Sequence, residues 1–209
     1  MSFETWAAFA VASAIMLAIP GPTILLVVSY ALSHGRRVAS ATVAGVALGD
    51  FTAMTASMLG VGALLATSAT LFTVLKWIGA AYLVYLGIKL WRAPVGDGAI
   101  PQAEKETNAR RIFLHAYVVT ALNPKSIIFF VAFLPQFLDP AAPALTQMVV
   151  FETTFVILAT LNAAAYALLA SMARGAIRKP SVQRIVNRTG GSLLIGAAML
   201  AAGFRKASA

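Results

Sequence analysis

The 209-residue chain has no cysteine. Disulfides, iron–sulfur clusters and thiolate metal sites are therefore excluded. Charge is scarce too. Only 11% of residues are Asp, Glu, Lys or Arg, against roughly a quarter in an ordinary soluble domain. Acidic residues number seven and histidines two. No phosphate-binding loop, nucleotide fingerprint or Ser–His–Asp arrangement is present, which excludes a self-contained ATP-driven pump. What is abundant is apolar: 60% of the chain is hydrophobic. A membrane span takes roughly 20 apolar residues, so this content furnishes about six spans. Neither a cytoplasmic globular enzyme nor a disordered chain fits that composition.

Six apolar runs are visible, at about residues 6–29, 38–66, 71–91, 112–138, 148–172 and 189–204. They are too long and too continuous for strands of a transmembrane barrel. The expected fold is all-α, a polytopic membrane protein of six helices in one transmembrane domain spanning 1–209. The N-terminus carries Glu4 and no early Lys or Arg, unlike a secretory signal peptide. The formal charge of +9 does not form a stripe that nucleic acid would need. It falls between the runs instead. Arg36, Arg37, Lys89, Arg92, Lys105, Arg110, Arg111, Arg174, Arg178, Lys179, Arg184 and Arg188 lie on one side; Lys76, Arg205 and Lys206 lie on the other. The positive-inside rule makes the first side cytoplasmic and places both termini outside. Trp6, Trp77 and Trp91 stand near predicted helix ends, as an interfacial belt requires. Residues 92–111 form the one sizeable polar linker.

That linker divides the chain into two halves of three helices. Residues 18–28 (AIPGPTILLVV) align without gaps on residues 121–131 (ALNPKSIIFFV), an offset of 103. Three helices per repeat oppose the orientations of the halves, the mark of an inverted-topology transporter. The matched segments share a helix breaker: Pro20-Gly21-Pro22 in the first half and Asn123-Pro124 in the second. Proline removes a backbone hydrogen bond and clashes one turn back. In lipid the freed groups must meet protein, water or substrate. Each break exposes a helix N-terminus suited to a carboxylate, and Thr23 and Ser126 follow with hydroxyls. The alternative is a pair of structural kinks.

Ionisable groups inside the runs are few. Asp50 lies roughly 18 Å and Lys125 roughly 20 Å from the cytoplasmic side at 1.5 Å per residue. One anion, one cation and two helix breaks thus share the midplane, where charge marks function or a structural Asp50–Lys125 pair. Glu152 falls one residue from the repeat position of Asp50 and is a candidate second proton site. Gly45 and Gly49 form a small-residue pattern for helix packing, and such faces also suit a homodimer. Asn162 reads as interhelical glue. Tyr82 and Tyr85 read as core, and His34 and His115 have no partners at metal-ligand spacing.

With these residues in view, the chain resembles the LysE/RhtB family of amino-acid exporters over essentially its whole length. Pro20-Gly21-Pro22, the Gly45/Gly49-Asp50 segment, WIGAAYLVYLGIKLW at 77–91 and Ala121-Leu122-Asn123-Pro124-Lys125 carry the likeness. The resemblance implies a bacterial inner-membrane exporter of amino acids or close derivatives, exchanging them for protons and needing no cofactor or metal. Lys125 and the N–H groups after Pro22 and Pro124 are then expected to take the substrate carboxylate. Asp50 takes the ammonium or carries the proton. With so few buried acids, a neutral amino acid such as threonine or homoserine is favoured over a basic one. The rival readings are an exporter of a metal or other small ion, and a non-transporting membrane subunit or intramembrane lipid enzyme.

Overall fold

The computed structural model describes residues 1–34, 38–67, 69–95, 108–139, 142–172 and 179–203. The cytoplasmic linker expected at 92–111 lies largely outside these residues. Every described element is helical. In chain order they are α1 (Phe3–Ala18), α2 (Pro22–His34), α3 (Ala39–Thr67), α4 (Ala69–Trp91), α5 (Ala109–Ala121), α6 (Pro124–Ala132), a 3-10 turn (Leu134–Phe137), α7 (Ala144–Met172) and α8 (Pro180–Gly203).

The breaks fall where proline dictates. α1 ends at Ala18 and the chain runs extended through Ile19 before Pro22 opens α2. α5 ends at Ala121, and Pro124 takes the first turn of α6, where its missing N–H costs nothing. Asn123 caps α6 by accepting from the Lys125 backbone N–H at 3.1 Å, satisfying one orphan donor. Each pair is long and apolar enough to cross a bilayer as one bent span, turning by 54° at the first break and 41° at the second. Ala39–Gly60 of α3 and Ala144–Ala170 of α7 qualify as straight spans. Leu145, Val149, Ile157, Leu161 and Leu168 of α7 are exposed at helical spacing, a stripe suited to lipid. α4 and α8, of 23 and 24 residues, lie against each other.

Packing is set by small residues. A Cβ on Gly45 would stand 2.5 Å from the Phe113 carbonyl oxygen, and one on Gly49 would stand 2.7 Å from Thr120 Cβ. α3 and α5 therefore touch backbone to backbone, as the glycine pattern predicts. The stripe is spent inside the chain and offers no free face to a second copy. Gly87 and Gly191 bring α4 and α8 together in the same way, with Arg188 4.9 Å from the centre of the Trp91 ring.

Two of the apolar clusters among the described residues flank a cavity. One is aromatic, built on Phe9, Phe129, Phe130, Phe133, Phe151 and Phe155 with Met54 and Met58. The Phe130 and Phe155 rings meet edge to face at 4.7 Å, a favoured arrangement. The other is made of smaller side chains: Val27, Val28 and Ala31 of α2, Val46 of α3, Ala116 of α5 and Ala163, Ala167 and Ala170 of α7. The cavity lies at the seam between them.

Candidate functional site

A helix that stops inside a bundle leaves its last carbonyls without intrahelical partners. At the end of α1 the carbonyls of residues 16–19 each meet a side chain, and that of Met16 also accepts the Ile19 backbone N–H at 3.3 Å. The Lys125 amine donates to the Met16 carbonyl at 2.7 Å and to the Ile19 carbonyl at 2.5 Å. Asn162 Nδ2 donates to Leu17 at 3.1 Å, and the Tyr166 hydroxyl to Ala18 at 2.7 Å. Four consecutive carbonyls are thus held by α6 and α7. A cation belongs at this end of a helix, where the dipole is negative.

The second break is tied to the first. Asn123 Nδ2 donates to Thr23 Oγ1 at 3.1 Å, linking the cap of α6 to the first turn of α2 across 100 residues. Gly21 lies against the Lys125 side chain. A Cβ there would be 3.2 Å from Lys125 Cδ and 3.7 Å from Nζ, so glycine keeps the lysine's path clear.

Around these contacts is a cavity lined by Met16, Leu17, Gly21, Thr23, Ile24, Val46, Asp50, Asn123, Lys125, Ser126, Ala159 and Asn162. Asp50 and Lys125 are almost completely buried, at 3% and 6% exposure. Both face the same space, yet among the described residues no ion pair joins them: the amine goes to the carbonyls of α1. The cavity volume is about 20 Å³. That is room for one or two waters, not for an amino acid, so the site is too narrow for substrate as it stands.

Of the residues singled out in the sequence, Gly21, Thr23, Asp50, Asn123, Lys125 and Ser126 converge on this cavity. Pro20, Pro22 and Pro124 make the breaks without lining it. Gly45 and Gly49 seat α3 on α5. Glu152 stands apart: it accepts a hydrogen bond from Thr55 Oγ1, seven residues along α7 from Ala159, or roughly 10 Å at 1.5 Å per residue. His115 is paired with the Tyr30 hydroxyl through Nδ1 at 2.9 Å. Asn162 is glue, as expected, but it also lines the cavity. Tyr166 is a contributor the sequence did not single out. Counting the carbonyls that the break in α1 frees would have called for such a donor.

Apolar helices broken in mid-course around a narrow cavity that holds one acid and one amine define a polytopic membrane transporter. Residues 14–203 match the LysE type translocator family, and the chain belongs to that family. It is accordingly a transporter and not an enzyme. It is 35% identical over 206 residues to a homoserine/homoserine lactone efflux protein of Salmonella typhi, with 97% of this chain and 98% of the relative covered. The corresponding efflux protein of Salmonella typhimurium gives the same identity and coverage. A Vibrio cholerae membrane protein is 34% identical over 204 residues, again covering 97% and 98%. No solved structure matches.

Proposed function

We propose that this protein exports a neutral amino acid or a close derivative across the bacterial inner membrane, in exchange for protons. The observation that carries the reading is the meeting of two broken helices at a buried cavity that holds one acid and one amine. A zwitterion needs partners of both signs held apart, and Asp50 and Lys125 are held apart. The relatives' name supplies the substrate class. Homoserine and its lactone share the α-ammonium; only homoserine has a free carboxylate. A site serving both must read the ammonium first. Asp50 carries the exchanged proton, and Glu152, toward the outer end of α7, is its second station.

The packing supports alternating access by inverted repeats. Exchanging α1–α2 with α5–α6, α3 with α7, and α4 with α8 maps the observed packing of α3 on α5 and α6 onto that of α7 on α1 and α2. It maps the α3–α7 and α4–α8 pairs onto themselves, as expected of a pseudo-twofold axis in the membrane plane, whereas the α4–α6 packing has no comparable α8–α2 counterpart among the described residues. Rocking one repeat against the other opens the cavity to each side in turn. Both termini then lie on the outer face, and six spans cross the membrane. An exporter of metal ions is the weaker reading, because the described residues contain no cluster of three or more His, Asp or Glu side chains to hold one.

Counterflow in proteoliposomes tests the proposal. Vesicles preloaded with unlabelled amino acids should take up labelled homoserine or threonine faster than labelled lysine, and Asp50→Asn should abolish proton-driven efflux. The reading fails if no amino acid stimulates uptake by folded protein.

A further inference from the structure

Lys125 lines the cavity, and its primary amine is already bound beside it. It sits on two carbonyls at the end of α1, and the two carbonyls between them are taken by Asn162 and Tyr166. The helix end is thus fixed from α7, with the Ile19 oxygen and the second lone pair of the Met16 oxygen, which also accepts the Ile19 N–H, turned to the amine. Fixed acceptors lower the ordering cost of a ligand that fits them.

We propose that this carbonyl cradle is the site for the substrate's ammonium, and that the Lys125 amine is its resident stand-in, displaced whenever substrate enters. The inference rests on the reading of the protein as an amino-acid exporter and assigns its ammonium subsite to backbone rather than to Asp50. The substrate brings the same group Lys125 presents, so the exchange leaves no carbonyl unsatisfied. Once released, the Lys125 amine is free for the carboxylate, or the lactone carbonyl, on the adjacent carbon. Gly21 provides the clearance for that swing. Asp50 is then left to the proton. The exchange also explains the small cavity: the lysine that fills the cradle occupies the place of the ligand.

Ethylammonium titration of the purified protein, followed by thermal unfolding, tests this directly. A cradle filled by its own lysine nine-tenths of the time or more weakens a competing ammonium by about tenfold or more. Lys125→Met keeps an apolar stem and empties the cradle. Its melting temperature should rise saturably with ethylammonium, at half-effect concentrations at least about tenfold below those needed for wild type. Tetramethylammonium, with no N–H to donate, should have no such effect. The response should persist in the Lys125→Met/Asp50→Asn double variant. Equal responses of Lys125→Met and wild type would overturn the proposal, and loss of the response in the double variant would reassign the ammonium to Asp50.

If Lys125→Met does not fold, wild type decides. Ethylammonium and acetate together should stabilise it by more than the sum of their separate effects, because one fills the cradle and the other takes the released amine. Strict additivity would refute the exchange. Neither measurement involves transport. Ethylammonium binding without counterflow would sink amino-acid export and leave the cradle standing; counterflow without ethylammonium binding would do the reverse.

Discussion

Replacing Gly45 by alanine should loosen the protein, whereas the same change at Gly60 should not. At Gly45 the new methyl group would lie 2.5 Å from the Phe113 carbonyl oxygen, 2.9 Å from Ala116 Cβ and 3.1 Å from the Tyr117 nitrogen. Two of these are backbone atoms of α5 and cannot rotate away. At Gly60, also within α3, nothing lies within 4 Å. Both substitutions gain the same helix propensity, up to about 1 kcal/mol. That term cancels in the difference between the variants, leaving the overpacking penalty of about 1–3 kcal/mol. For a chain of this length each kcal/mol moves the melting temperature by roughly 2–4 °C. In one detergent, Gly45→Ala should therefore unfold several degrees below Gly60→Ala. Exchange activity should fall with it, because α5 leads directly into the break that carries Asn123 and Lys125. Equal melting temperatures would refute the claim that α3 and α5 touch backbone to backbone at Gly45.

Other perturbations separate the cavity's parts. Asn162→Ala leaves the Leu17 carbonyl without its donor at a part-buried position and should cost about 1–3 kcal/mol. Tyr166→Phe removes a donor from an exposed hydrogen bond and should cost less in the same thermal assay. The Thr120 hydroxyl is buried and has no hydrogen-bond partner among the described residues. Thr120→Val keeps the shape and removes that group, so stability in the same thermal assay should stay level or rise by up to about 1 kcal/mol. Glu152→Gln retains an oxygen to accept from Thr55 and lies outside the cavity. It should preserve counterflow while shifting the pH dependence of proton-driven efflux, measured in the same vesicles at fixed gradients.

Much of this site was legible because proline chemistry is local. Pro20, Pro22 and Pro124 each lack an N–H, so two breaks were demanded wherever the chain folded. That Asn123 caps α6 came only with the structure. The depth of Asp50 and Lys125 followed from counting residues along apolar runs. The partner of Lys125 was not legible. A break creates a helix C-terminus as well as an N-terminus, and the sequence argument followed only the latter, toward a carboxylate. That the amine reaches the α1 carbonyls, over 100 residues away in sequence, depends on how the two halves are placed. Gly45 and Gly49 announced close packing without naming α5 as the neighbour. The last helix was expected over 189–204 but begins at Pro180. Its first turns carry Arg184 and Arg188 and do not read as an apolar run, although the helix continues through them.

The central claim, that the cavity between the two breaks receives the substrate, can be tested through the absence of cysteine. Ser126→Cys introduces the sole thiol, on the cavity wall, and Ser2→Cys places one at the exposed N-terminal end as a control. The rate of alkylation by N-ethylmaleimide should fall with increasing homoserine at position 126 and remain unchanged at position 2. Labelling at position 126 that ignores homoserine, homoserine lactone and threonine, in protein active in counterflow, would place the substrate elsewhere and contradict the account.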